Sequence, residues 1–495
     1  MKKWISFLLA LLMLAAVVVG CTTGNNPNET TNSEKESGDS GSDDTNDEFK
    51  TSVPDDLDCE GYEYVILNSG VNEIGGLLND IFIECSDKLD SVSEAMYHRN
   101  TAIEEQYKVT LSETIDASGV IKQKVSDSFH AGTDDYSLVN VIGNLIYTMA
   151  TEGTLYNLNK LDYVDLTKPW WTQGSVEDYS LRNQLYYASS DLSICDDEAT
   201  CIVMYNTTVA SNYKLESADE MYDLVADGKW TWEKMFTMAK KVGSGGDNGD
   251  SVLSDGDKFG IIAIDWAYIA MMIAGEQRFS IKNEEDVPEI AFGSEEFVDV
   301  LDQLVEYTKA KRTFLAPQYD GTFKQDHFRT DNALMIMQVV AHIRNSRDME
   351  SDFAVLPMPK LNEQQENYYS YVNRVTYIGV PSTILNTEWV GGITEALTAK
   401  SREVVIPEYY NVALSERFMR DEGSKRMIEY IYGHTVYDQL VSTLCWDTTF
   451  GVFTSMLKSR SNMVVNVINK YSNGINNMIQ EAADAYAELA EDYEE

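Results

Sequence analysis

The chain is predicted to be an α/β protein with two lobes, on three observations. Strand-like and helix-like segments alternate from Tyr62 onward, which is the pattern of an α/β body with a largely parallel sheet. One of the strands, Tyr136-Ser137-Leu138-Val139-Asn140-Val141-Ile142, is almost continuously apolar, as a strand covered on both faces must be. Roughly 435 residues follow a polar N-terminal stretch, more than one hydrophobic core usually serves.

Lys2 and Lys3 precede an uncharged run from Ile5 to Val19, and small Gly20 stands before Cys21. A basic start, an apolar run and a small residue before the cut are the signature of an export signal, so residues 1–20 are expected to be removed. The apolar run is too short for a comfortable membrane span. Val18-Val19-Gly20-Cys21 resembles the bacterial lipobox, which implies a diacylglycerol thioether on Cys21 as the new N-terminus. A second acyl chain would make such anchoring stable, because one chain binds only marginally. Residues 21–58 are Asn, Ser, Thr, Gly, Asp and Glu with little that is apolar besides Phe49 and Val53, and read as a disordered tether. The expected location is the outer face of the cell membrane, held by the lipid anchor only.

The body opens with a strand at Tyr62–Leu67, stopped by Asn68-Ser69-Gly70. Residues 91–107 carry a helical pattern with Ala95, Met96, Ile103 and Tyr107 on one face. A strand at Val109–Leu111, a helix at Ile121–Phe129 and the apolar strand at Tyr136–Ile142 follow. Further strands are expected at Leu185–Ala188 and Phe259–Ile264. From Arg402 onward Leu414, Phe418, Met427, Ile428 and Ile431 stand at helical spacing.

Charge and cysteine content exclude several functions. The chain holds 38 basic against 81 acidic residues, a net charge of −43, so nucleic acid and anionic headgroups are poor partners. Besides Cys21 there are Cys59, Cys85, Cys195, Cys201 and Cys445, whose spacing matches no zinc pattern, and five scattered histidines. Neither a metal nor a cofactor is expected. Cys195 and Cys201 bracket the acidic turn Asp196-Asp197-Glu198 between two strand-like runs, so they are either a disulfide at a hairpin mouth or two half-buried thiols. The chain has no G-x-S-x-G, no H-E-x-x-H, no Walker loop and no Rossmann glycine set, and Gly243-Ser244-Gly245-Gly246 reads as a plain loop.

An ordered set of segments resembles one family. Glu94 to Asn100 with Ile103-Glu104-Glu105 and Tyr107-Lys108-Val109 resembles the RN-x-x-IEE-x-Y-x-V unit of extracellular solute-binding proteins of the sugar-uptake class. Gly153-Thr154-Leu155-Tyr156-Asn157-Leu158 and Asp165-Leu166-Thr167-Lys168-Pro169-Trp170-Trp171 are similar to that family's G-x-L-x-x-L and D-L-x-x-P-W-W. Leu185-Tyr186-Tyr187-Ala188 with Val203-Met204-Tyr205-Asn206, Gly228-Lys229-Trp230-Thr231-Trp232-Glu233-Lys234-Met235, Ala333-Leu334-Met335 and Leu356-Pro357-Met358-Pro359-Lys360 continue the likeness. Asn332 departs from it, standing where the family usually has glycine, as does the acidic segment between Cys195 and Cys201.

The resemblance implies a two-lobed periplasmic-binding-protein-like fold with a hinge of several chain crossings. It places one lobe at 59–204 and 336–382 and the other at 205–335 and 383–495. It implies capture of a mono- or oligosaccharide by lobe closure, without turnover, and delivery by a monomeric lipoprotein to the permease subunits of an ABC transporter. The alternatives are a sensing or adhesion lipoprotein without a transporter, or a glycoside-cleaving enzyme using a carboxylate pair.

Candidate ligand residues lie where strands end, since open α/β sheets hold ligands there. Asp265 and Trp266 follow the strand at 259–264 as a hydroxyl acceptor and a stacking platform, against a helix N-cap and a core aromatic. Trp446 lies where the maltose-binding branch of the family places a stacking tryptophan. In the other lobe Ser69, Gly70 and Asn144 follow strands. Asp191 lies beyond Tyr187, as a ligand residue or a strand end. His342 and Arg344 follow the crossing at Leu334–Val340, as ligand groups or as surface or helix-start residues. Trp170, Trp171, Trp230 and Trp232 read as packing residues.

Overall fold

The computed structural model describes residues 49–70, 77–79, 81, 91–245, 253–321, 326–410 and 421–492. The signal, the lipidation site at Cys21, most of the tether, Cys85, Leu414 and Phe418 lie outside the described residues.

The first sheet grows from the N-terminal segments. β1 (Glu63–Ser69) runs two residues past the expected stop. Asn68 stays in the strand because it is paired on both sides, with Ile115 and with Asn140, and two ladders outweigh a turn preference. α1 spans Ser91–Tyr107, as the spacing predicts, and buries Ala95, Met96, Ile103 and Tyr107. β2 (Thr110–Asp116) is longer than expected because its whole length pairs with β1. α2 (Ser118–Ala131) ends on Gly132, whose left-handed φ of 65° returns its N–H to the last turn. β3 (Leu138–Ile142) is buried throughout and runs directly into α3 (Gly143–Thr151).

The chain then passes to a second sheet. The segment Leu185–Ala188 is not a regular strand; its contact with the first sheet is an isolated bridge between Ala188 and Ile378. Cys195 does not stand at a hairpin mouth. It begins a helical turn, α4 (Cys195–Glu198), while Cys201 begins β4 (Cys201–Asn206). Both are buried free thiols, as are Cys59 and Cys445. The Cys195 thiol hydrogen-bonds Thr376 instead, and burial pushes it up to about 12. β5 (Phe259–Ile262) precedes α5 (Ala267–Ala274), followed by β6 (Phe314–Leu315), β7 (Ala333–Val339), α6 (Ala341–Asn345) and β8 (Phe353–Leu356).

β9 (Thr376–Gly379) returns to the first sheet, so the chain crosses between β3 and β4 and again between β8 and β9. The first sheet has the order β9-β3-β1-β2 and the second β8-β4-β7-β5-β6. The sheets are more mixed than the expected parallel arrangement. β9 runs antiparallel to β3, and β4 runs antiparallel to both β7 and β8, because these strands enter by crossings instead of helical β-α-β connections. The positions 204/205 and 335/336 fall inside β4 and β7, both strands of the second sheet. α7 (Thr387–Pro407) packs along α1, α8 (Trp446–Ser459) packs on α5, and α9 (Val464–Asp492) closes the chain. Glu48–Glu495 forms one compact unit, and none of its described helices is long and apolar enough to cross a membrane.

Candidate ligand-binding cleft

A cleft of about 530 Å³ opens where ends of strands from both sheets meet. The first sheet contributes Ile142, Gly143 and Asn144 at the β3–α3 junction, together with Leu77. The second contributes Ile264, Asp265 and Trp266 between β5 and α5, and Gln338 and Val339 at the end of β7. The segment Asn373–Val375 before β9, with Ser442, Asp447 and Phe450, completes the lining.

Local sequence explains each placement. Gly143 begins α3 against the carbonyl of Ser442, which a Cβ would meet at 2.5 Å; only glycine permits this approach of the two segments. Trp266 is the N-cap of α5, and its carbonyl accepts from Ala270 N–H at 3.1 Å. Trp266 is 4 % exposed, yet is among the residues that line the cleft, so it serves the core and the lining together. Burial pushes the Asp265 carboxyl up, offset by the N–H groups of Asp265 and Trp266 and by the Arg374 charge. Arg374 is exposed and holds a left-handed φ of 39°, a conformation that costs energy for a residue with a Cβ and is often kept at functional sites. Beside it the buried Asn373 Oδ1 has no hydrogen-bond partner. An orphaned buried acceptor of this kind is satisfied by a ligand donor or by water.

The cleft thus joins an aromatic face, amides at Asn144, Gln338 and Asn373, two carboxylates and one guanidinium. Among the described residues no group of three or more His, Cys, Asp or Glu side chains has the geometry to hold a metal ion.

Of the residues singled out from sequence, Asp265, Trp266 and Asn144 come together in this cleft. The backbone of Trp446 starts α8, next to Asp447, but its side chain lies outside the described residues. The others lie elsewhere. Ser69 is buried within β1, hydrogen-bonded to Ser118 Oγ and Asn140 O, each at 2.7 Å. His342 is in α6, and burial holds its imidazole below the usual range. Arg344 is ion-paired with buried Glu198, which also accepts from Tyr409 OH at 2.8 Å. The cleft is lined by Gln338 and Val339, at the strand end itself, and not by His342 or Arg344 further along the chain.

Asp191 lines a second cavity of about 590 Å³, 3.5 Å from the Arg402 guanidinium. Trp170 and Trp171 are fully buried and donate to the two oxygens of Glu395, at 3.0 and 2.9 Å. Sequence reasoning missed Gln338, Asn373, Arg374, Asp447 and Phe450. Only the place of Gln338 near the end of an apolar strand could have signalled one of them.

Among curated proteins none matches the chain by sequence. An ABC substrate-binding protein from Listeria monocytogenes, in complex with cycloalternan, shares its fold at a TM-score of 0.51 and 14 % identity, covering 85 % of this chain and 100 % of that one. The cyclic α-maltosyl-1,6-maltose binding protein of Arthrobacter globiformis does so at 0.54 and 11 %, covering 87 % and 99 %. UgpB from Mycobacterium tuberculosis, in complex with glycerophosphocholine, does so at 0.52 and 13 %, covering 86 % and 99 %. The architecture is the two-lobed one of periplasmic binding proteins. The family described as bacterial extracellular solute-binding protein matches residues 100–388, which include Asn144, Asp265, Trp266, Gln338 and Arg374 of the cleft. With more than half its length so matched, this chain belongs to the bacterial extracellular solute-binding protein family.

Proposed function

We propose that the chain captures a mono- or oligosaccharide in the cleft and hands it to the permease of an ABC transporter. The carrying observation is the convergence of Trp266, Asp265, Asn144, Asn373 and Arg374 from distant parts of the chain on one cleft. A sugar offers apolar C–H faces to an aromatic ring and hydroxyls to carboxylates, amides and guanidinium groups, which are the groups present. The volume falls within the range of small-molecule sites. Solved neighbours with this fold were crystallised with cycloalternan and with other polar solutes, which supports the ligand class.

In this reading the cleft binds without turnover, and closure of the two lobes sequesters the ligand. The lobes are read as built on the two sheets, so their limits fall between β3 and β4 and between β8 and β9 instead of at 204/205 and 335/336. The chain acts as a monomer held to the membrane by lipid on Cys21 through the tether at 21–58, after removal of residues 1–20. Mass spectrometry of the membrane-extracted protein should find diacylglycerol on Cys21 and no residue before it.

The test of function is a thermal-shift and calorimetric panel of maltotetraose, mannotriose and tagatose, with glycerophosphocholine as the non-sugar solute. A ligand of the native state alone adds about 2.7 kcal/mol at a hundred times its Kd. A shift with one sugar supports the reading, and a shift with glycerophosphocholine alone overturns the sugar assignment.

A further inference from the structure

Behind the first-sheet wall of the cleft lies a buried cluster of amides and hydroxyls whose hub is Asn79. Its side chain is 1 % exposed. Oδ1 accepts from Asn140 Nδ2 at 2.9 Å, Thr376 Oγ1 at 2.8 Å and Ser193 Oγ at 3.1 Å. Nδ2 donates to Asn68 Oδ1 at 3.1 Å and to the Ser69 carbonyl at 2.9 Å. The Asn79 carbonyl in turn accepts from Asn68 Nδ2 at 2.6 Å. These partners come from β1, β3, β9 and the chain just before α4, so one side chain ties three strands to a loop.

The segment that carries Asn79 reaches the cleft. Leu77, two residues before Asn79, forms part of the lining, and Thr376 and Asn140 stand beside the lining residues Val375 and Ile142. The segment is held at two further points. Leu78 N–H donates to Glu198 Oε2 at 3.3 Å, and the Ile81 carbonyl accepts from the fully buried Arg99 guanidinium. Glu198 is itself fixed by Arg344, so this arginine acts behind the wall. The described residues of the wall, 77–79 and 81, have no regular secondary structure, so beside the apolar packing of Leu77 and Ile81 it is these side-chain bonds that fix their place.

Resting on the reading of this cleft as the sugar site, we infer that Asn79 is a positioning residue. It holds the Leu77 wall in the place that closure on ligand requires, and thereby sets affinity without touching the ligand. A site is precise when the groups behind its lining are themselves locked.

The test compares full-length wild type with Asn79→Ala, Thr376→Val, which removes one donor to Asn79 and the Cys195 contact while keeping the side-chain shape, and Trp266→Ala as a cleft control. Two quantities are read: hydrogen exchange at residues 77–81, and affinity for whichever of maltotetraose, mannotriose or tagatose binds the wild type. The expectation for Thr376→Val is faster exchange at 77–81, unchanged exchange in β2, and about tenfold weaker binding, the scale of one lost buried hydrogen bond. Trp266→Ala should weaken binding and leave exchange at 77–81 as it was. Unchanged exchange at 77–81 in both hub variants overturns the positioning role, and so does faster exchange with unchanged affinity. If no sugar binds the wild type, it is the carbohydrate reading that falls. Exchange then decides alone whether Asn79 holds this wall. Thr376→Val keeps the test open should Asn79→Ala fail to fold.

Discussion

Trp266 and Asp265 are adjacent residues with separable consequences. Trp266 fills core and lines the cleft, so Trp266→Ala should lower stability by roughly 3 kcal/mol and weaken sugar binding at least about tenfold. Denaturant unfolding reads the first effect and calorimetry the second. As a carboxylate Asp265 accepts hydrogen bonds from sugar hydroxyls at both oxygens, protonation turns one of them into a donor and weakens the other, and burial raises its pKa. Affinity should therefore fall as pH drops through that raised value, and Asp265→Asn should remove the dependence; calorimetry at a series of pH values checks it. A pH dependence that persists in the variant would assign it to another group. Glu395 shows the same physics away from the cleft. Its two oxygens satisfy Trp170 and Trp171, and burial pushes its pKa up to about 7. Glu395→Ala leaves two buried indole N–H groups without an acceptor and should cost about 2–5 kcal/mol, read from the denaturant midpoint. None of these partnerships is legible locally, since Trp171 and Glu395 stand 224 positions apart.

At the scale of elements, α7 is a helix whose glycines are required by what lies beside them. Gly→Ala inside a helix ordinarily stabilises by about 0.5–1 kcal/mol. At Gly391 a Cβ would meet the Asp162 carbonyl at 2.1 Å and the Leu161 side chain at 2.9 Å, and a carbonyl is backbone that yields little. Gly391→Ala is therefore expected to destabilise by about 1–3 kcal/mol, a reversal of sign that thermal unfolding would show at once. Elements whose signal is local were legible in the sequence. α1 carried its buried face at helical spacing, and β3 its unbroken apolar run. The misreadings share one cause. Asn68 and Ser69 look like a strand stop, and Leu185–Ala188 like a strand, because propensity does not report whether a partner strand lies alongside.

For the whole molecule, charge and burial act in the same direction. Burial pushes Asp178 up to about 7 and Asp191 up to about 8, with Glu395 at about 7. In the unfolded chain these carboxyls titrate near 4, so between about 4 and 8 the folded state binds more protons than the unfolded state. Stability from these groups is fully present below that window and is lost as pH rises through it. The net charge of −43 adds self-repulsion that also grows as carboxyls ionise. Tm should therefore be higher at pH 5.5 than at pH 8.5, and added salt should raise it at pH 8.5 by screening. Scanning calorimetry at the two pH values, with and without salt, decides this. A Tm that rises with pH would mean that these carboxyls are ionised in the fold.

The sequence by itself determined what depends on neighbours along the chain. Those properties are the alternation of strand and helix, the acidic balance and the ordered segments that mark the solute-binding family. Only the tertiary structure decided which strand ends meet. It joined Asn144, Asp265 and Arg374 at one cleft, took Ser69 and Arg344 into internal contacts, and placed Asp191 on another cavity. The physical reason is that a binding site is assembled by contacts between residues far apart in sequence. Whether a polar side chain serves a ligand or a buried partner is set by which of the two lies within hydrogen-bond reach.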